Sequence, residues 1–340
     1  MARAPEPLSI RDLALSDLAS RYGLTLLGPD RPVSFLALVR SPRTQIHDVL
    51  TYVTSDQYGE IFSQSEHEAA IVEARFWNEG RFASKSVLVC PDFQAEQHFF
   101  RIHTDIARDG LVSSVEAHVG VGTAVAPTAT VGDHTWIGDN CQVEPGAVIY
   151  PNTVVQDGSV IQANATVGGS GFEIKVIDDR RVLIPHTGGV LIGEESVVGS
   201  ATCIDRGLFG TFTSIGGGTK IDNLVHIAHN VWTGEDCAIV AGAEISGSVH
   251  LGIGVWYGPN ASCNPELAFG DYAYVGTGSV VVRDVPAFTL VAGSPARVFG
   301  NVCRCRSKVD LSSGWAMCQR CGTELVQDPK TGNVSMRAGS

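Results

Sequence analysis

One aliphatic residue returns every six positions through the middle of the chain. From Val119 the series runs Val125, Val131, Ile137, Val143, Ile149, Val155, Ile161 and Val167. Four residues after these stand small ones: Thr123, Ala129, Thr135, Cys141, Ala147, Thr153, Ser159 and Ala165. The series breaks over 168–189, resumes at Ile192, Val198 and Ile204, and breaks again over 205–214. It then continues from Ile215 in steps of six to Val281. A period of six with one inward aliphatic and one small corner residue predicts a hexapeptide parallel β-helix. Three hexads close one triangular coil, and coils stack about 4.8 Å apart. The 24 hexads therefore predict about eight coils. Glycine often follows the aliphatic, as at Gly132, Gly138, Gly234 and Gly252, which reads as a turn needing a permissive backbone.

The flanks have other periods. Ser9-Ile-Arg-Asp before Leu13, Leu15 and Leu18 reads as a capped helix. The apolar runs 69–72 and 86–90 read as buried strands, and 99–106 as a helix leading into the first coil. Pro286 and Pro295 end the repeat, and the last ten residues read as disordered. The expected fold class is mainly β. A left-handed parallel β-helix over 116–295 follows an α/β domain over 1–115, and a zinc-ribbon-like cysteine tail over 296–340 completes the chain.

Composition agrees with the pattern. The 38 glycines in 340 residues are about 11%, against roughly 7% in an average protein, and glycine disfavours long helices. The hydrophobic fraction of 44% argues against disorder. A net charge of −12 repels phosphate backbones and makes nucleic-acid binding a poor expectation. No apolar run is long enough to span a bilayer. The N-terminal Met-Ala-Arg-Ala-Pro-Glu-Pro does not read as a signal peptide, so the cytoplasm is the expected compartment. Nine cysteines there argue for thiols or metal ligands over disulfides.

Coil arithmetic places candidate chemistry. His229 lies two residues after inward Ile227 and should face outward, with Gly247 one coil of 18 residues away and Pro265 and Glu266 one coil further. A histidine base beside a glycine N–H suits acyl transfer. The alternatives are a plain surface histidine, or a three-histidine zinc site drawing on His226 and His229, although residues three apart on a β-helix face different ways. His226, at a turn, reads as structural, as do His186 and His250. Cys303-Arg-Cys305 and Cys318-Gln-Arg-Cys321 have the spacing of a four-thiolate structural zinc site; the alternative is four unbound thiols. Cys141, Cys237 and Cys263 read as core fillers. Tyr52 and Tyr58 flank a polar segment and could hold a planar base.

These residues together resemble the UDP-3-O-(3-hydroxyacyl)glucosamine N-acyltransferase family of lipid A synthesis. The likeness runs from about residue 7 to about 290. It rests on Leu8-Ser-Ile-Arg-Asp-Leu-Ala, Leu50-Thr-Tyr-Val-Thr-Ser-Asp-Gln-Tyr58, Gly171-Phe172, Ile184-Pro185, Thr202-Cys-Ile-Asp-Arg-Gly207 and Ile221-Asp-Asn-Leu-Val-His-Ile-Ala-His-Asn230. The resemblance implies that His229 is the catalytic base and Gly247 the oxyanion donor. It implies that Asp222 and Asn223 lie near the sugar and that Tyr52 and Tyr58 stack on uracil. It also implies a homotrimer with sites between subunits and no catalytic cofactor. The family's second histidine is Glu266 here, and its uracil-contacting asparagine is Ser55. In place of its C-terminal helices the chain reads Val291-Ala-Gly-Ser-Pro-Ala-Arg297, which resembles nucleotide-sugar N-acetyltransferases of O-antigen synthesis. The expectation is therefore N-acyl transfer from acyl-CoA or an acyl carrier protein to a nucleotide-linked amino sugar. Transfer of a 3-hydroxyacyl group in lipid A synthesis is the first alternative. A non-catalytic scaffold and a metal-dependent hydratase are the others.

Overall fold

The computed structural model describes residues 6–11, 13–39, 48–78 and 80–337. The first five residues, on which the leader reading rests, lie outside these. The N-terminal domain holds β1 (Thr25–Leu27), β2 (Phe35–Leu36), β3 (Val49–Val53), β4 (Ala69–Glu73) and β5 (Ser86–Cys90), with helices α1 (Leu15–Tyr22), α2 (Asp56–Gln64) and α3 (Ala95–Arg108). The sheet order is β1-β5-β4-β3-β2. Strands β2 to β5 run parallel, and β1 is antiparallel to β5. β4 is buried along its whole length, as an apolar run inside a parallel sheet must be.

The expected capped helix starts later than Ser9. Its N-cap is Ala14, whose N–H donates to Asp17 at 3.0 Å. Ser9 instead donates its N–H to the Ser113 hydroxyl at 2.9 Å, and Ile10 bridges to Val112. Tertiary pairing across the domain overrides the local cap signal.

The β-helix forms as the repeat predicts. Three parallel sheets each carry eight hexad strands. Val119 pairs with Ile137, Val143 with Ile161, and Ile149 with Val167, one coil apart. Both breaks in the repeat are insertions that leave the ladder intact, since Val155 pairs with Ile192 and Ile192 with Ile215. From Ile137 onward the inward aliphatics and corner residues, among them Cys141, Cys237 and Cys263, form one continuous buried core, whereas Val119 and Val125 of the first coil are exposed.

Gly132, Gly138, Gly234 and Gly252, which follow the aliphatics, do not serve as left-handed turn residues. The left-handed position lies three after the aliphatic, at Asn140, Asn152, Asn164, Gly218 and Gly242, where Asn and Gly tolerate positive φ. Gly132 and Gly252 are glycine for lack of space. An added Cβ would stand 2.6 Å from Pro151 Cδ and 2.6 Å from the Asp271 nitrogen, both in the next coil.

The insertions join the two domains. The first carries a hairpin, β6 (Ile174–Ile177) and β7 (Arg180–Leu183). The second carries Leu208 and Phe209. Ile177, Ile184, Leu208 and Phe209 enter the core of the N-terminal domain beside Phe99 and Phe100. The Phe209 ring lies 5.2 and 5.8 Å from those two rings.

One β-helix sheet continues through β8 (Thr289–Gly293), β9 (Ala296–Val302) and β10 (Lys308–Val309), so residue 296 is no boundary. The separate tail sheet comprises β11 (Trp315–Met317), β12 (Glu324–Gln327) and β13 (Val334–Met336). The last strand pairs along β12, so the expected disordered end does not hold for 334–336; residues 338–340 lie outside the described residues.

Candidate active site

The insertions create a cavity of about 630 Å³ between the domains. Phe35, Leu36 and Leu38 line it from the N-terminal domain, Phe212 from the second insertion, and His229 and Gly247 from the β-helix. Its walls are chiefly apolar, with polar groups gathered around His229.

His229 occupies the outward position two after Ile227, and its side chain is 15% exposed. Its Nδ1 lies 3.0 Å from Asn230 Oδ1. The same Asn230 oxygen accepts the Leu208 N–H at 3.0 Å, while Asn230 Nδ2 donates to the Thr211 hydroxyl at 2.6 Å. These bonds fix the amide orientation. The oxygen can only accept, so Nδ1 carries a proton, and in the neutral ring Nε2 is the nitrogen with the lone pair. That nitrogen is the one aimed at Gly247, where an added Cβ would lie 2.9 Å from both Nε2 and Cε1.

The Gly247 amide lacks the acceptor that some of its counterparts in other coils have. At this hexad position Val121, Asp139 and Ile253 donate their N–H to the aspartate one coil on, at 2.7 to 2.9 Å. The residue one coil on from Gly247 is Pro265, which has no side-chain acceptor. Gly247's carbonyl is occupied by the Glu266 N–H at 3.0 Å. A free N–H beside a basic nitrogen can bind the oxygen of a tetrahedral intermediate while the nitrogen takes a proton.

Two residues that the sequence did not mark complete the surroundings. Glu173, from the first insertion, lies 3.9 Å from His229 Nε2. Lys175 bridges Glu173 at 3.1 Å and Glu96 of α3 at 3.2 Å, and Tyr52 donates its hydroxyl to Glu96 at 3.2 Å. His186 is buried with its ring 5.0 Å from that of His229. Its Nδ1 faces the Ile184 carbonyl at 3.1 Å, and its Nε2 is buried without a partner. Burial first, and then His229, lower its pKa to about 4, so it is neutral beside the base. His186 reads as structural because insertions have no period that would bring it to His229. Glu173 and Lys175 follow the quoted Gly171-Phe172 segment, which was the signal available.

The remaining expected residues are placed as follows. His226 is in a strand, not a turn, and is exposed, with Nε2 3.1 Å from Asp205. That hydrogen bond raises its pKa. His226 and His229 form no candidate metal group; among the described residues the four tail cysteines alone do so. Asp222 and Asn223 are exposed at a turn and line no part of the cavity. Their side chains accept backbone N–H groups, Asp222 from Asn223 and Ala241, and Asn223 from Ser200 at 2.7 Å. Glu266 lines the cavity rim. Ser55 caps α2, its hydroxyl accepting the Tyr58 N–H at 3.2 Å. Tyr52 packs on Phe99 at 4.9 Å, whereas Tyr58 packs with a second cluster around Val53 and Phe62. Neither tyrosine lines the cavity. Cys303, Cys305, Cys318 and Cys321 converge, with all four sulfurs within 4.8 Å of one another.

Among the described residues no helix is long and apolar enough to cross a membrane. The bacterial transferase hexapeptide family (six repeats) matches residues 134–169. UDP-3-O-acylglucosamine N-acyltransferases of Caulobacter sp. strain K31 and Maricaulis maris strain MCS10 are 38% and 42% identical over 135 residues. In each case the match covers 40% of this chain and 39% of the relative, so the chain spans about two fifths of the length of these curated relatives. Among solved structures, the UDP-N-acetylglucosamine acyltransferase from Campylobacter jejuni is similar at 21% identity and a TM-score of 0.45, covering 52% of this chain and 75% of that one. The acetyltransferase domain of PglB from Neisseria gonorrhoeae FA1090 gives 20% identity and a TM-score of 0.25, covering 64% and 72%.

Proposed function

We propose that this chain, which belongs to the hexapeptide-repeat acyltransferase family, moves an acyl group from a thioester to the amine of a nucleotide-linked amino sugar. The observation that carries the proposal is the pairing of His229 Nε2 with the unclaimed Gly247 N–H on one wall of an apolar cavity. The amine nitrogen attacks the thioester carbonyl carbon, and His229 Nε2 takes the proton that the nitrogen sheds. The Gly247 N–H holds the oxyanion. The C–S bond then breaks, and the imidazolium returns its proton to the leaving thiolate. Asn230 holds the ring in the tautomer this sequence needs.

The donor is acyl-CoA or an acyl carrier protein, and the chemistry needs no cofactor. Tyr52 and Tyr58 bind the nucleotide base with Ser55 beside them, and Asp222, Asn223 and Glu266 belong to the sugar-binding surface that a neighbouring subunit completes. The working form is a homotrimer, in keeping with the outward aspect of His229 and the exposed Trp232 beside the cavity. The reaction belongs in the cytoplasm, as a step of lipid A or surface-polysaccharide synthesis. The four tail thiols hold a structural zinc apart from this chemistry.

Incubation with a panel of acyl-CoA and acyl-carrier thioesters and UDP-linked amino sugars, read by mass spectrometry, tests the proposal. Amide product from wild type, greatly reduced in His229→Ala, is the expected result. Ligand binding without any acyl transfer would instead identify a nucleotide-sugar binding protein.

A further inference from the structure

The segment after the last coil carries chemistry that acyl transfer does not use. Cys303 and Cys321 place their sulfurs 3.5 Å apart, as do Cys305 and Cys318. A disulfide needs about 2.05 Å. A tetrahedron with zinc–sulfur bonds of about 2.3 Å has edges of about 3.8 Å. We propose that residues 303–337 form a zinc-bound cap, with the metal held by Cys303, Cys305, Cys318 and Cys321, that closes the C-terminal end of the β-helix.

Two similar loops present the thiols. In the first, Cys303 donates its N–H to the Ser307 carbonyl at 2.9 Å, and Arg306 donates back to Cys303 at 2.7 Å. In the second, Cys318 donates to Thr323 at 2.9 Å, and Gly322 donates back to Cys318 at 2.9 Å. Each loop turns on one left-handed residue, Arg306 at φ 68° and Gly322 at φ 72°. Each thiol loses its proton as its sulfur bonds the metal. The resulting tetrathiolate carries two negative charges. Arg304, Arg306, Lys308 and Arg320 stand in or beside these loops and offset them.

The same cysteines join the tail to the solenoid. Cys303, Cys318, Leu311, Leu325 and Val334 share a buried core with Phe288 of the last coil, against which Tyr272 also packs. The Val302 N–H donates to the Phe288 carbonyl at 2.8 Å, and the Arg306 guanidinium stands 4.2 Å from the Trp256 ring. The two ends of the β-helix differ accordingly. Val119 in the first coil is 59% exposed, whereas Val281 in the last is 2% exposed. A solenoid end needs a cap, and a core as small as that of the tail needs a staple such as a metal.

Metal analysis of the purified full-length chain is expected to find about one zinc per chain, falling to roughly a tenth in the Cys318→Ser, Cys321→Ser double variant. Wild type stripped with a thiol reagent and a chelator is expected to gain hydrogen exchange over 285–337, with the coils over 137–263 unchanged. If the double variant does not fold, cobalt replaces it as the probe. Wild type reloaded with cobalt is expected to show thiolate charge-transfer and tetrahedral ligand-field bands. Iron, no stoichiometric metal, or octahedral cobalt spectra overturn the site. Zinc loss that leaves exchange over 285–302 unchanged overturns the cap. None of these readouts depends on acyl transfer.

Discussion

Adding one methyl group at Gly247 probes the site with little else changed. In Gly247→Ala the new Cβ would stand 2.9 Å from His229 Nε2 and Cε1, several tenths of an ångström inside ordinary contact. The ring has little room to withdraw. Its Nδ1 is tied to Asn230, whose oxygen and nitrogen are tied to Leu208 and Thr211, and His186 stands on another side. The imidazole must therefore tilt out of line with the incoming amine, or the strand must shift and carry the oxyanion donor with it. Displacement of about 1 Å costs roughly 100-fold in rate, close to 3 kcal/mol of transition-state stabilisation. Because the N–H remains, the fall belongs to kcat more than to KM. Gly169→Ala is the control, since its Cβ would meet only Thr166 Cγ2 at 3.7 Å. Steady-state transfer with a saturating thioester, alongside circular dichroism and Tm, reads both variants. A Gly247→Ala enzyme within twofold of wild type, with its fold intact, would refute the placement of the reaction at this wall.

Burial holds His103 and His186 each at about 4, below the ordinary 6.5. Both are neutral when folded, so stability is full above pH 6.5 and falls between pH 6.5 and 4, by up to about 3 kcal/mol for each. Urea unfolding across that range measures it, and a flat profile would contradict the buried neutral pair. Tyr58→Ala is expected to weaken nucleotide binding by about tenfold or more, the scale of one stacked base, with some loss of Tm from its packing on the cluster around Val53 and Phe62. Tyr52→Ala is expected to lower Tm as well, because its ring packs on Phe99 and Phe100; titration calorimetry with UDP beside thermal melts separates the two. Equal UDP affinity in wild type and both variants would remove the tyrosines from the site.

The β-helix was legible because its code is local. One inward aliphatic per hexad is set by the coil itself, and the same arithmetic put Gly247 beside His229. The glycine after each aliphatic was legible in place but not in cause. The close approach of the next coil demands it, and that distance does not show in one strand of sequence. Nor do the insertions obey the repeat. Their residues take meaning only from what they fold against, so His186, Glu173 and Lys175 gave no periodic signal, although they surround the base. Ser9 shows the same limit at the N-terminus, where a sound cap signal yields to a partner about a hundred residues away. Asp222 and Asn223 illustrate the reverse case. Their resemblance to sugar-site residues is in the sequence, yet within one chain their polar atoms serve turn hydrogen bonds.

In the proposed reaction His229 takes a proton from the attacking amine. Single-turnover transfer from a thioester to a UDP-linked amino sugar, followed by mass spectrometry in wild type and His229→Ala, tests it most directly. Amide product from wild type and a rate lower by about 100- to 10,000-fold in the variant are expected. Equal rates in the two proteins, or no acylated sugar from wild type with any thioester offered, would contradict it.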